Sequence, residues 1–245
     1  MSNFEFPGAC YEVMRRDMRD AAAEAAFLAS YLPPGGRLLD LACGTGTVLR
    51  ALAAQGYGGT GVDWSTQFIA YAKNAGDPGV EYVCEDIVHF DTAERYDVVA
   101  CLFGSLNLVP YAQLPGLLRR IAGWLRPNGY LVLDVAHLLN FIDAYQPVVV
   151  THHRGDGMLI TRIARQIVRP HDGTWVNDET LVVREADGTV RMYENTFAQS
   201  VLTAPEVRVL LESAGFTIAE EFGGFSKAPP SPLGRGPLVT VARVG

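Results

Sequence analysis

The sequence lacks the features that mark membrane and exported proteins. It contains no run of about 18 apolar residues, which a membrane-spanning helix needs, although 49% of its 245 residues are hydrophobic. Residues 1–5 do not form a basic stretch followed by an apolar one, as a signal peptide does. We therefore expect a cytoplasmic protein that makes no membrane contact. Its length suits one large domain, or a domain with an insertion.

Cysteine and clustered basic residues are also scarce. The four cysteines, at positions 10, 43, 84 and 101, do not have the spacing of metal ligands. We expect free, buried thiols and no metal site. Lys and Arg number 20 against 27 Asp and Glu, which gives a net charge of −7, and they form no cluster. Because nucleic-acid-binding proteins normally carry a basic patch, we expect no nucleic-acid partner.

The most informative stretch is 38–46, L-L-D-L-A-C-G-T-G. The apolar run Arg37–Leu41 predicts a buried strand, and the spacing of apolar residues in 47–55 predicts a helix. The turn between them needs residues with little or no side chain, and Gly44 and Gly46 supply them. A helix that begins after such a turn presents backbone N–H groups and a partial positive charge. The stretch therefore predicts a binding site of nucleotide size.

Strands and helices alternate up to about residue 135, with breaks at glycine and proline. The predicted strands are 37–41, 58–63, 80–84, 96–102 and 130–135, and two more follow at 216–222 and 238–244. Before the first strand, the periodicity of 10–31 predicts one helix. This order predicts the α/β class, with a doubly wound, mostly parallel seven-stranded sheet.

Acidic residues lie at or just past the ends of two predicted strands, at the same edge of the sheet. Asp63 comes 19 positions after Gly44 and can accept hydrogen bonds from both ribose hydroxyls of a nucleotide. NAD enzymes use the same device, so Asp63 does not identify the nucleotide. Trp64 can stack on adenine or pack within the protein. Asp86 can accept from an adenine amino group, and Ile87 can pack on the base.

Together these elements resemble the class I S-adenosylmethionine-dependent methyltransferases. The string L-D-L-A-C-G-T-G resembles motif I of that family, with Ala42 where the family has its first glycine. Asp86-Ile87 resembles the adenine-binding motif, the Tyr96-Asp97 strand resembles motif IV, and L-R-P-x-G precedes the fifth strand as in the family. The resemblance implies a Rossmann-like methyltransferase fold, S-adenosylmethionine as cofactor and S-adenosylhomocysteine as product.

The resemblance also implies a set of cofactor-binding residues. They are Tyr11, Arg15, Asp40, Ala42, Gly44, Gly46, Asp63, Trp64, Asp86, Ile87 and Leu102. In the family an early aromatic residue closes over the cofactor, and a nearby arginine meets its carboxylate. Tyr11 and Arg15 match this pattern, and a helix that simply covers the sheet would also explain them.

From residue 148 the pattern changes to antiparallel strands, predicted at 148–153, 158–167, 179–184 and 190–200. We expect 148–201 to form an inserted antiparallel sheet, with 1–147 and 202–245 as the cofactor-binding core. A sheet this small must bury its apolar face on something. We expect it to roof the acceptor pocket, and the alternative is that its apolar face makes a homodimer contact.

The insertion narrows the resemblance to N-methyltransferases that act on small amines, including nucleotide-aminosugar enzymes. The residues expected to contact the methyl acceptor are Phe103, Asn107, His137 and His152. Where the aminosugar enzymes carry a histidine after the fourth strand, this chain has Leu108, which weakens the case for a sugar.

Methyl transfer needs donor and acceptor held in line, and it needs a base only where the acceptor arrives protonated. His137 and Tyr11 are the candidate catalytic residues. The sequence predicts a methyltransferase that acts on a small molecule, with nitrogen favoured over oxygen. An O-methyltransferase, or a relative that binds the cofactor without methyl transfer, stays open.

Overall fold

The computed structural model describes residues 4–76, 79–139, 142, 145–230 and 236–245. Its strands are β1 (Arg37–Leu41), β2 (Gly58–Asp63), β3 (Val80–Cys84), β4 (Tyr96–Cys101), β5 (Leu125–Val135), β6 (Val148–Gly155), β7 (Met158–Arg169), β8 (Thr174–Arg184), β9 (Val190–Ser200), β10 (Phe216–Phe222) and β11 (Leu238–Val244). Its α-helices are α1 (Gly8–Arg15), α2 (Ala21–Ala29), α3 (Thr47–Ala53), α4 (Thr66–Ala75), α5 (Leu114–Trp124) and α6 (Ala204–Ser213).

Seven strands form one sheet in the order β10-β11-β5-β4-β1-β2-β3. Strand β11 runs antiparallel to both neighbours, and the pairs from β5 to β3 are parallel. The predicted doubly wound, mostly parallel seven-stranded sheet is therefore confirmed. The order of the strands reverses between β1 and β4, and open α/β sheets bind ligands at the carboxyl ends of such strands.

Helices cover both faces of this sheet, which explains the apolar runs of its central strands. On one face α5 and α6 bury residues such as Leu118 and Leu211 against Leu39. On the other face α2 and α3 bury Leu28 and Leu49 among the side chains of the same strands. The two apolar layers hold the carboxyl ends of β1, β2 and β4 at one edge, where the candidate site lies.

Strands β6 to β9 form a second, antiparallel sheet, which confirms the predicted inserted sheet. Its inner face buries Ile160, Leu181 and Val183 against a cluster that includes Val13 of α1 and Phe68 of α4. Strand β8 begins earlier than predicted, at Thr174, because the side chains that follow are buried as well. The sheet therefore shares apolar contacts with the helices beside the glycine turn.

Two local predictions were wrong. The helix predicted over 10–31 is two helices, because the Asp20 side chain caps α2 by accepting from the Ala23 N–H at 3.0 Å. The fifth strand starts at Leu125 rather than Tyr130, with a shift in its pairing with β4. Capping and strand pairing override the helical and glycine patterns that the sequence shows at these places.

The cysteines were expected to be buried, and one is not. Cys10, Cys43 and Cys101 are buried, whereas Cys84 is exposed; all four are free. Cys84 ends β3, which lies at the edge of the sheet and has a neighbour on one side only. In the part of the chain that the structure describes, no helix is both long and apolar enough to cross a membrane.

Candidate functional site

The turn after β1 places three residues in the left-handed region, Ala42 (φ 58°), Gly44 (φ 58°) and Gly46 (φ 78°). A Cβ added to Gly46 would collide with the Tyr82 ring, and one added to Gly44 would lie 3.2 Å from the Tyr11 ring. Glycine at these positions therefore lets both rings close on the backbone. Ala42 adopts the same conformation with a methyl group, at a cost of ~1–2 kcal/mol.

Asp63 ties the end of β2 to this turn. Its Oδ2 accepts from the Gly44 N–H at 2.8 Å, and its Oδ1 accepts from the Ser65 N–H at 2.9 Å. Burial raises the pKa of Asp63 to about 6, although both backbone hydrogen bonds favour the carboxylate. Each carboxylate oxygen can accept more than one hydrogen bond, so both oxygens can still accept from a ligand.

Residues of α1 cover the turn from the other side. The Arg15 Nη2 donates to the Thr47 hydroxyl at 2.7 Å, at the start of α3. The Arg15 guanidinium lies 5.0 Å from the centre of the Tyr11 ring, which stacks on Phe68 at 4.5 Å. Burial raises the pKa of the Tyr11 hydroxyl, so it stays protonated. This arrangement places one cation and one phenol beside the glycines.

A cavity of about 480 Å³, the main cavity, joins the glycine turn to the inserted sheet. On the side of the core its lining includes Tyr11, Arg15, Ala42, Gly44, Asp63, Trp64, Phe103 and Leu108. On the side of the inserted sheet it is lined by Thr151, His153, Arg162, Asn177, Glu179, Phe197 and Gln199, the roof residues. The two sides differ in chemistry, since the roof carries most of the polar side chains.

A neighbouring cavity of about 350 Å³ shares Ala42, Trp64 and Leu108 with the main cavity and reaches Asp86 and Ile87. The Asp86 Oδ1 accepts from the Val88 N–H at 2.9 Å, and Ile87 is buried. Trp64 is 38% exposed and lines both cavities. The structure thus places the two acids, Asp63 and Asp86, on two cavities that share part of their lining.

Some predicted cofactor residues lie behind the cavity wall. Asp40 is buried within β1, and burial raises its pKa to about 7. Leu102 is buried, and its carbonyl accepts from the Ser105 N–H at 3.2 Å. Gly46 lies beneath the Tyr82 ring. Asp40, Leu102 and Gly46 shape the turn and the strand ends, and they do not line the described cavities.

Asn107 was expected to contact the acceptor, but the structure places it inside the protein. It is fully buried, and its Nδ2 donates to the carbonyls of Ala136 at 3.0 Å and Ser200 at 2.8 Å. Its Oδ1 accepts from the Ala136 N–H at 3.1 Å. The side chain therefore joins the loop after β4 to the ends of β5 and β9, and it lines none of the described cavities.

The two predicted histidines, His137 and His152, do not line the main cavity, whereas His153 does. His152 is exposed on the outer face of β6, where its Nδ1 lies 3.0 Å from the Thr161 hydroxyl. Side chains alternate along a strand, so His153 points inward and is a roof residue. His137 forms a backbone bridge with Leu202, and its side chain lines none of the described cavities. Sequence periodicity predicts that one of the adjacent histidines faces inward but not which.

Asp134, which the sequence analysis did not single out, holds the loop after β4. Its carboxylate accepts from the backbone N–H groups of Phe103 (φ 61°) and Gly104 (φ 64°). Burial raises the pKa of Asp134 to about 6. The bonds keep Phe103 at the cavity wall, with the Arg19 guanidinium 4.9 Å from its ring centre. An acid at the end of β5 is the feature that could have indicated this role.

Comparisons with known proteins agree with this geometry. Residues 38–129 match a family model described as a methyltransferase domain. The chain is 30% identical over 229 residues to a dTDP-4-amino-2,3,4,6-tetradeoxy-D-glucose N,N-dimethyltransferase of Saccharopolyspora spinosa, a match that spans 91% of this chain and 87% of that protein. This chain belongs to the class I S-adenosylmethionine-dependent methyltransferases.

Two further proteins match the present chain over most of its length. It is 28% identical over 220 residues to a dTDP-3-amino-3,6-dideoxy-alpha-D-glucopyranose N,N-dimethyltransferase of Streptomyces fradiae, covering 89% of this chain and 82% of that protein. An S-adenosylmethionine-bound amino pentose methyltransferase of Micromonospora echinaspora, involved in calicheamicin biosynthesis, superposes with a TM-score of 0.75 at 25% identity over the whole of both chains. The predicted family, enzyme class and cofactor are therefore confirmed. Among the described residues, no group of three or more His, Cys, Asp and Glu could hold a metal ion.

Proposed function

We propose that this methyltransferase methylates an amine nitrogen of a small specialised metabolite, bound between the glycine turn and the roof residues. The main cavity carries this proposal, because one space is bounded by the turn that follows β1 and by the polar face of the inserted sheet. The two curated relatives, which are named for the N,N-dimethylation of aminosugars, match across most of the chain, with the inserted sheet included. An aminosugar is therefore the first acceptor class to test.

The residues of the pocket fit S-adenosylmethionine. When bound, the cofactor supplies a methyl group on a positively charged sulfur. We propose that Asp63 accepts from the ribose hydroxyls, that Trp64, Asp86 and Ile87 contact the adenine, and that Arg15 meets the carboxylate. The small residues Ala42 and Gly44 leave room for the cofactor beside the backbone, and Tyr11 closes over it.

The roof residues fit a polar acceptor. Arg162 pairs with Glu179, and Asn195 donates to the same carboxylate at 3.3 Å, so these groups hold one another in place. The amide groups of Asn177 and Gln199 add donors and acceptors on the same face. A roof of fixed dipoles orients the acceptor and excludes water, and such positioning can supply most of the acceleration of an in-line displacement.

We also propose that the enzyme works in the cytoplasm on small molecules, without a nucleic-acid partner. Its four cysteines are free thiols, which is the usual state in a reducing compartment. The net charge of −7 opposes binding to a polyanion.

Incubation with methyl-labelled S-adenosylmethionine tests the acceptor. The probes are the two dTDP-aminosugars named above, each paired with the matching sugar that carries a hydroxyl in place of the amine. Label in the aminosugar alone supports N-methylation, and label in the hydroxyl analogue assigns O-methylation. Calorimetry should show micromolar cofactor binding, about −8 kcal/mol. If the protein binds the cofactor and no product carries the label, it should instead be assigned to the relatives that bind S-adenosylmethionine without transferring the methyl group.

A further inference from the structure

Glu12 of α1 holds two hydroxyl groups at the glycine turn. Its Oε1 accepts from the Thr45 hydroxyl and from the Thr47 hydroxyl, the latter at 2.9 Å. Thr45 lies between the two glycines and is fully buried, and Thr47 is the first residue of α3. Each hydroxyl has one proton to donate, and both protons go to this carboxylate oxygen. Glu12 therefore joins α1 to the turn and to the start of α3.

The Thr47 hydroxyl connects Glu12 to Arg15. Arg15 lies three residues after Glu12 on the same face of α1, and its Nη2 donates to the Thr47 hydroxyl at 2.7 Å. The same Nη2 lies 3.8 Å from the Glu12 Oε1. Because the Thr47 oxygen donates to the carboxylate and accepts from the guanidinium, its two bonds fix where the guanidinium lies.

Two guanidinium groups lie beside the Glu12 carboxylate. The Arg50 Nη2 lies 3.8 Å from the Glu12 Oε1, as the Arg15 Nη2 does, and the Arg50 Nη1 donates to the Thr45 carbonyl. One acid faces two cations, so these three residues carry a net positive charge. Of the three, Arg15 lines the main cavity, and its side chain is 6% exposed. A buried cation that is only partly balanced favours an anionic group of the ligand.

The apolar residues of α1 do not attach the helix to the turn. Val13 packs in the cluster that contains Phe68 of α4 and the inner face of the inserted sheet. Toward the turn, α1 presents the Tyr11 ring and the polar groups of Glu12 and Arg15. A ring contact has little directionality, whereas hydrogen bonds require defined distances and angles. The position of the guanidinium over the turn therefore depends on the hydrogen bonds of Glu12.

We propose that Glu12 is a positioning residue for the cofactor. It holds Arg15, through Thr47, where the guanidinium meets the carboxylate of S-adenosylmethionine. This inference rests on the contact between Arg15 and that carboxylate in the proposed function. Since Glu12 acts through Arg15, its loss should weaken ligands that carry the amino-acid carboxylate and spare ligands that lack it.

Calorimetry with two ligands tests this role. S-adenosylhomocysteine carries the carboxylate, and 5′-methylthioadenosine has the same adenine and ribose without the amino acid. Glu12→Ala should weaken S-adenosylhomocysteine binding about tenfold, the loss expected with a hydrogen bond to a charged group, and should leave 5′-methylthioadenosine binding unchanged. Glu12→Gln keeps an oxygen that accepts from both hydroxyls, so it should recover most of the affinity.

Two more variants sharpen the comparison. Arg16→Ala is the matched control, because Arg16 directly follows α1 and forms an exposed ion pair with Asp156 of the inserted sheet at 2.8 Å. It should change neither affinity. Thr47→Val should repeat the effect of Glu12→Ala, and the double variant should bind no worse than either single one, since both act on Arg15. Thr47→Val also carries the test if Glu12→Ala does not fold.

Equal weakening of both ligands in Glu12→Ala would overturn the proposal, because it would show a general disturbance of the turn. Parent-like affinity for S-adenosylhomocysteine in that variant would overturn it too. Arg15→Gln separates the proposal from its premise. If Arg15→Gln binds S-adenosylhomocysteine as the parent does, the carboxylate contact is wrong and the positioning role falls with it. If Arg15→Gln weakens that ligand and Glu12→Ala does not, the contact stands and the positioning role alone is wrong.

Discussion

The carboxylate of Asp63 accepts a hydrogen bond from the backbone N–H of Gly44 at 2.8 Å, and so the end of β2 holds the turn that follows β1. The same carboxylate lines the main cavity. One buried group therefore shapes the left-handed turn and presents oxygens to a ligand. Its raised pKa, about 6, makes both roles sensitive to pH.

We expect Asp63→Ala to weaken S-adenosylhomocysteine binding by about 1.5–3 kcal/mol, through lost hydrogen bonds to the ribose. In the parent, affinity should also weaken as the pH falls through about 6, because protonation removes an acceptor. Calorimetry between pH 8 and pH 5 measures both effects. Glu81→Ala, on the exposed side of β3, is the control and should bind as the parent does. Equal affinity in Asp63→Ala would take this residue out of the site.

Asp40→Asn should raise stability at alkaline pH. Burial raises the pKa of Asp40 to about 7, despite the opposing charge of Arg19. The folded parent holds a proton that the unfolded chain loses near pH 4, so this residue lowers the free energy of unfolding as pH rises from about 4 to about 7. At pH 8 the variant should exceed the parent by up to ~4 kcal/mol, and the difference should shrink toward pH 4. Urea unfolding at several pH values measures it, and a gap that does not vary with pH would contradict the account.

Ala42→Gly should stabilise the fold slightly. The variant relieves ~1–2 kcal/mol of left-handed strain in the folded state. Glycine also makes the unfolded chain more flexible, which lowers the free energy of unfolding by ~0.5–1 kcal/mol. The net gain is then ~0.5–1 kcal/mol, measurable by urea unfolding without cofactor. The same substitution at Ala51, within α3, is the control and should cost about 1 kcal/mol. A loss of stability in Ala42→Gly would show that the alanine methyl makes contacts worth more than the strain.

A homodimer stays a prediction of the sequence. The apolar face that the sequence analysis considered for it packs on α1 and α4, so the outer face of the inserted sheet is the face to test. That face exposes apolar side chains, Val148, Val150, Ile163, Val190 and Met192, each at least 40% exposed. Light scattering should then give twice the 26.6 kDa chain mass, and Val150→Asp with Met192→Asp should give the single-chain mass. Val209→Asp, at an exposed position of α6, is the matched control. A parent that runs as one chain would reject the prediction.

The cofactor half of the site could be predicted because its determinants are local. A turn that needs Gly44 and Gly46 can be recognised from a short stretch of sequence. The acids Asp63 and Asp86 lie at or just past the carboxyl ends of β2 and β3, and the order of the strands in a parallel sheet places such residues at one edge. The alternating pattern from residue 148 likewise predicted an antiparallel insertion. These features follow from backbone sterics and from the two-residue and 3.6-residue periods of side chains.

The acceptor half depended on contacts between residues far apart in the chain. The sequence placed Asn107 near the substrate, and the fold instead satisfies its amide with Ala136 and Ser200. The sequence analysis named His152, whereas the packing of Ile160, Leu181 and Val183 on α1 and α4 turns His153 inward. The sequence by itself determined the family, the sheet and the cofactor turn. Tertiary structure decided which polar side chains line the cavity and which are satisfied inside the protein, because that depends on which partners the whole fold brings within hydrogen-bonding distance.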